Sequence, residues 1–138
     1  YDAARLVLYI YGELRATRLG NRRLYEELAG AGLIDARGLI VADSAEPKSI
    51  ADFREYGANI IGAAKGAESV AYSMKWLQSL AQIVIDPRRA PAHALEFSTY
   101  ELEREREGAF ISAYPDRDNH AIDDVRYATN LIWRRRGK

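Results

Sequence analysis

Cysteine is missing altogether from the 138 residues. Disulfide staples and thiolate metal sites are thereby excluded, and a reducing compartment is compatible with the chain. No apolar run approaches the ~20 residues that a membrane-spanning helix needs, and no signal-peptide pattern opens the sequence. Net charge is missing too: 20 Lys and Arg balance 20 Asp and Glu. The total charge therefore advertises neither nucleic acid nor membrane, and any basic surface has to come from local segregation. There is no G-x-x-x-x-G-K-[ST] phosphate loop, which removes an ATPase site from this chain. "GANIIGAAKG" contains glycines but lacks the dinucleotide spacing G-x-G-x-x-G, and no serine stands in a nucleophile-elbow context. Internal repeats, low-complexity stretches and an interdomain linker are not found either.

What is present is the pattern of one globular domain, 48% hydrophobic and 29% charged, long enough for a real core. "RLVLYIYGEL" (5–14) has the β-branched and aromatic content of a strand. "NRRLYEELAGAG" follows with Asn21 as a candidate N-cap, Leu24, Leu28 and Ala31 at helical spacing, and Gly30 and Gly32 as the stop. "GLIVAD" (38–43) is a short apolar run of the kind buried on both faces of a sheet. Pro47 suits the first turn of a helix that runs to Gly57. "ANIIGAAKG" reads as a strand, "ESVAYSMKWLQSL" as a helix with Val70, Met74 and Leu77 on one face, and "AQIVID" (81–86) as another strand. After Pro91, "AHALEFSTYELER" could be a helix turning into a strand, which periodicity does not settle. "EREREG" suits a hairpin turn, "AFISAYP" its return strand, and one amphipathic helix from about residue 119 to 136 closes the chain. Strands alternating with helices predict an α/β domain with parallel pairings.

Two places could carry chemistry. Asp43 ends a predicted strand, at the edge where open α/β sheets bind ligands. It could aim at a metal, or simply cap the turn into the next helix. In "DNHAIDDVRYA" (118–128), ~100° per residue puts His120, Asp123, Asp124 and Tyr127 on one side of a helix and Ala121, Ile122, Val125 and Ile132 on another. Acids at a helix start are favoured by the macrodipole whatever their use, which suffices for Asp118. A histidine three residues before an acid can also share an ion with it. His93 has no acid or nucleophile at a recognisable spacing, and Arg134 to Arg136 beside Trp133 read as a solvated basic helix end.

"ADSAEPKSI" after an apolar strand, "AAKG" one strand later and "DNHAIDDVRYA" opening the last helix, about eighty residues beyond the first motif, together resemble a known family. It is the C-terminal nuclease domain of the large terminase subunit of tailed bacteriophages. The resemblance runs from about Leu6 to Ile132, and "EFSTYE" and "YPDRDNH" fit its layout. It implies an α/β, ribonuclease H-like mixed sheet flanked by helices, here lacking the family's first strand or strands. Residues 1–138 would form the nuclease domain, N-terminally incomplete and without the ATPase domain.

By the resemblance, Asp43 and Asp123, with His120 as companion, are the catalytic and metal-binding residues, and Lys48 and Lys65 contact the DNA backbone. Asp124 stands where the family has a small residue, Glu13 matches a family glutamate without being assigned as a ligand, and Arg126 and Tyr127 serve packing or orientation. The implied activity is cleavage of concatemeric viral double-stranded DNA during genome packaging, in the host-cell cytoplasm. Its cofactors would be two Mg²⁺ or Mn²⁺ ions roughly 3.5–4 Å apart. Oxygen ligands suit such hard cations. Implied partners are the ATPase domain, the portal protein and the small terminase subunit, with no membrane. The family's first metal-binding aspartate belongs to a strand upstream of Tyr1, and Asp2, in a turn, is a poor substitute. This chain alone is therefore expected to bind metal weakly and cleave poorly. Two other classes stay open: a catalytically inactive ribonuclease H-like DNA- or protein-docking module, and a resolvase or transposase type of nuclease.

Overall fold

Glycine and proline punctuate the chain much as their backbone preferences require. A computed structural model of the protein describes residues 1–66, 68–100, 114 and 119–135. Its elements, in order, are β1 (Val7–Ile10), α1 (Asn21–Gly30), β2 (Leu39–Ala42), α2 (Pro47–Glu55), β3 (Asn59–Gly62), α3 (Ser69–Gln78), β4 (Gln82–Ile85), α4 (Pro91–Thr99), α5 (His120–Ala128) and α6 (Asn130–Arg135). Pro47 and Pro91 open α2 and α4, where a missing N–H costs nothing. Gly57, at φ +93°, closes α2: its N–H bonds the Arg54 carbonyl and Ala58 N–H bonds that of Phe53. α1 starts on Asn21 itself, with Gly20 before it as the cap residue.

The chain divides into two compact units. The first comprises Tyr1–Tyr11 with Ala67–Arg126. Here β1 and β4 pair in parallel, with Val7 opposite Gln82 and Ile10 opposite Ile85. Val7 and Leu8 are buried, as are Met74, Trp76 and Leu77 of α3 and Ala121, Ile122 and Val125 of α5. The core side foreseen for α5 is thus the buried one. On α3 the buried face is turned: Val70 is exposed and Ser73 is fully buried. A serine can be buried there because its hydroxyl turns back to the carbonyls of Ser69 and Val70, at 2.7 and 2.9 Å.

The second unit comprises Gly12–Gly66 with Tyr127–Lys138. β2, α2 and β3 form a βαβ unit in which Leu39 lies opposite Asn59 and Ala42 opposite Gly62. Ile50, Phe53 and Ile60 form its core, with Leu24, Tyr25 and Leu28 of α1 and Ile40 and Ala42 of β2 packed on it. Burying each large apolar side chain contributes about 1.5–3 kcal/mol. The strand β2 was expected to be buried on both faces. Leu39 is exposed and the other three residues only partly buried, because among the described residues β2 has a single strand neighbour.

The predicted single closing helix is two. The break falls at Thr129, just before Asn130, whose side-chain amide bonds the backbone of Ala64. Of the segment after Pro91, Pro91–Thr99 is helix, and its expected turn into a strand from residue 101 on lies outside the described residues. The expected hairpin and return strand over 103–115 lie, apart from residue 114, outside the described residues. No helix among the described residues is long and apolar enough to cross a membrane.

Candidate functional site

Asp43 follows the last residue of β2, and the ladder still holds it in place: Ala63 N–H bonds the Ala42 carbonyl at 2.8 Å. Gly62 makes this approach possible, since a Cβ there would lie 3.2–3.3 Å from Ser44 and Ile50. The Asp43 carboxylate accepts the Ala45 N–H at 2.8 Å, and its carbonyl accepts the Glu46 N–H at 3.2 Å. So far this is the turn-capping role that any strand-end aspartate can play. The same oxygen, Oδ1, also takes the ammonium of Lys65 at 2.6 Å. The Lys65 ammonium lies 5.6 Å from the centre of the Tyr127 ring. The Asp43 carboxyl is held below its ordinary range, first by the Ala45 N–H, then by Lys65, with a smaller contribution from the Tyr127 hydroxyl. Lys65 is shifted upward in turn, chiefly by its bond to Asp43.

Other aspartates make clear what is unusual here. Asp86 follows β4 as Asp43 follows β2, and its Oδ1 accepts two backbone N–H groups, from Arg88 and Arg89. Asp35 does the same with Arg37 and Gly38, and Asp2 with Ala4 and Arg5, as expected of a turn residue. Asp43 Oδ1 has one backbone donor and one lysine ammonium.

The first unit holds the second acidic region. His120 and Asp123 stand in the first turn of α5, His120 exposed and Asp123 partly buried. Glu96 of α4 fixes that turn by accepting the Ile122 N–H at 2.8 Å, so one of the free donors of the helix start is met by a carboxylate. Asp123 bonds the Nη1 of Arg126, one turn along the same helix. Arg126 is buried, and its Nε donates to Ser73 Oγ at 2.6 Å. Asp124 is exposed as a residue, yet its carboxyl is pushed above its ordinary range. The surrounding protein displaces water from it, Asp123 and Glu96 add negative charge, and His93 and His120 oppose the shift. The two facts are compatible, since the crowding is local to the carboxyl and the exposure is that of the whole residue.

The structure therefore joins Asp43 to Lys65 in one unit and groups His120, Asp123 and Asp124 with His93 and Glu96 in the other. Lys48 is exposed in the first turn of α2. Lys65, given by the resemblance to the DNA backbone, binds a carboxylate here. Three contributors were not anticipated. Asn130 announces itself weakly, as an amide in the apolar run "NLIW", whereas Glu96 and Ser73 carry no local signal. Among the described residues no three His, Asp or Glu side chains are gathered so as to hold a metal by themselves. The donor chemistry of Asp43 does fit a hard divalent cation: an oxygen ligand, rooted at a strand end, partly open to water and already holding a cation.

Parallel strands alternating with helices define the class, an α/β chain, with an acid at a strand end and a His-x-x-Asp turn opening a late helix. The family follows from comparison with known proteins. The model of the family described as Terminase RNAseH like domain matches residues 1–130. The large terminase subunit of Bacillus phage SPP1 is 38% identical over 130 residues, 93% of this chain and 30% of the relative. The PBSX phage terminase large subunit of Bacillus subtilis (strain 168) is 34% identical over 128 residues, 92% of this chain and 29% of the relative. The crystal structure of the g2p (large terminase) nuclease domain from bacteriophage SPP1, with bound Mn, superposes with a TM-score of 0.83 at 34% identity. It covers 95% of this chain and 74% of that one. The chain belongs to the terminase ribonuclease H-like domain family, and it spans about 30% of the length of the SPP1 large subunit.

Proposed function

We propose that the chain is the nuclease part of a terminase large subunit, cutting concatemeric viral double-stranded DNA during packaging in the host-cell cytoplasm. The observation that carries this reading is Asp43. It is a strand-end carboxylate, partly open to water and holding a cation at 2.6 Å, in a family whose SPP1 member was solved with bound Mn. In this reading Asp43 in one unit, and Asp123 with His120 in the other, would serve as ligands of Mg²⁺ or Mn²⁺. When bound, two such ions activate water for in-line attack and stabilise the leaving oxygen of the phosphodiester.

The protein's own contribution is orientation and charge. The Ala45 N–H keeps Asp43 aimed from the end of β2. Arg126 fixes Asp123, and Glu96 anchors the turn that carries His120. Lys48 and Lys65 offer positive charge to the DNA backbone. The ATPase domain, the portal protein and the small terminase subunit are its proposed partners.

Nicking of supercoiled plasmid by the purified terminase in Mn²⁺ tests the reading. Asp43→Asn and Asp123→Asn are each expected to reduce cleavage to background while DNA binding persists. Undiminished cleavage by a folded Asp43→Asn protein would overturn it.

A further inference from the structure

We propose that Lys65 is an exchangeable internal cation of the Asp43 carboxylate, resident while the site is metal-free and displaced when a divalent ion arrives. The inference rests on the reading of Asp43 as a metal ligand. Its ground is the contrast among strand-end and turn aspartates. Asp86 and Asp35 complete their turns with two backbone N–H donors each, whereas Asp43 Oδ1 takes one backbone donor and the Lys65 ammonium at 2.6 Å. Asp2, a turn aspartate with two backbone donors on Oδ1, meets Arg5 Nε only at 3.8 Å and through its other oxygen.

The attachment of Lys65 supports exchange rather than permanent pairing. Its root is fixed, because Asn130 accepts the Ala64 N–H and donates to the Ala64 carbonyl, both at 3.1 Å. Its head is free to move, because the side chain is 46% exposed and hangs on a flexible four-carbon stem. The Tyr127 ring, 5.6 Å from the ammonium, offers a cation–π neighbour that does not depend on Asp43. A half-exposed lysine–carboxylate pair is weak, and a doubly charged ion with oxygen preference outcompetes it. Once released, the ammonium is available for a phosphate at the same site.

Two measurements on the purified terminase test this. In Mn²⁺ titrations followed by calorimetry or by the electron paramagnetic resonance of free Mn²⁺, Lys65→Met is expected to tighten binding about three- to tenfold. Lys65→Arg, which keeps the competing charge, is expected to leave binding at or below the wild-type affinity. In NMR spectra, the Lys65 methylene next to the ammonium is expected to shift on adding Mg²⁺ in the direction that Asp43→Asn alone produces. In Asp43→Asn protein, Mg²⁺ should then move it no further. Wild-type Mn²⁺ binding that Lys65→Met leaves unchanged or weakens overturns the exchange and leaves the nuclease reading standing. A Lys65 resonance indifferent to Mg²⁺ does the same. Failure of both wild type and Lys65→Met to bind Mn²⁺ overturns both.

Discussion

Lys65 meets Asp43 at the surface, with 46% and 36% of the two side chains exposed, whereas Arg126 meets Asp123 from the interior, with 7% and 27% exposed. Both acids carry a basic partner, but the surroundings of the partners differ. The Lys65 ammonium is a point charge on a solvated stem. The guanidinium of Arg126 is held at two nitrogens, one by Asp123 and one by Ser73 Oγ. Ser73 is in turn committed to its own helix through Ser69 and Val70. Releasing Lys65 returns a charge to water. Releasing Arg126 would take a carboxylate away from a buried charge and break a chain of hydrogen bonds from α3 to α5. The first pair is the weaker and more solvated, the second the more firmly held.

The largest consequence is for stability. Arg126→Met removes the guanidinium but leaves the Asp123 carboxylate and the Ser73 hydroxyl without their partner. It is expected to destabilise the fold by about 3 kcal/mol, the low end of the range for a broken buried pair because Asp123 is partly exposed. Arg126→Lys is expected to recover less than half, since an ammonium cannot serve both groups in the planar fork geometry. Chemical denaturation of the two variants measures this. A loss no greater than that of Lys65→Met would erase the distinction between the pairs.

Next in size is the anchor beneath Lys65. Asn130 is buried and satisfies both polar groups of the Ala64 backbone, as a neighbouring strand would. Asn130→Ala leaves a donor and an acceptor unmet, an expected cost of about 2 kcal/mol from two hydrogen bonds. It also loosens the root of Lys65, so the variant should show faster amide exchange at Ala64 and Lys65 than wild type. Unchanged exchange there would mean that β3 alone holds the segment.

How much of this could be read from the sequence depends on how local each feature is. Strands, helix starts and helix stops rest on neighbouring residues, and Pro47, Gly57 and the apolar runs before Asp43 and Asp86 placed them correctly, whereas the helix after Pro91 was left undecided. Ala121, Ile122 and Val125 gave the buried side of α5 by helical spacing alone. The burial of Ser73, the exposure of Val70 and the break at Thr129 depend on partners 53 and 66 residues away in sequence, Arg126 for Ser73 and Ala64 for Asn130. No periodicity carries such information. Asp43 was legible as a strand-end acid, with its capping and ligand roles undivided. The structure shows that capping is real, through Ala45, and adds the Lys65 ammonium that no spacing rule predicts.

The smallest predicted effect separates the pairs by pH. The Asp43 carboxyl lies below its ordinary value of 3.8, through Ala45 first and Lys65 second. A depressed carboxyl contributes stability that is fully present above that value and lost as pH falls through the depressed one. Lys65 lies above its ordinary 10.5, through Asp43 first, so its contribution is complete below 10.5 and lost as pH rises through the raised value. Between these limits the pair contributes a constant amount. Lys65→Met is therefore expected to lower the melting temperature by no more than about 2 °C at neutral pH, as for other exposed pairs. That difference should stay level up to about pH 9 and close as the solution is acidified below 3.8. The Arg126→Met deficit includes packing and the bond to Ser73, neither of which acid protonation of a carboxylate removes, so it should stay open over the same range. Melting curves of the two variants beside wild type decide the point. A Lys65→Met deficit that persists undiminished in acid would show that Lys65 stabilises the fold through its stem rather than through Asp43.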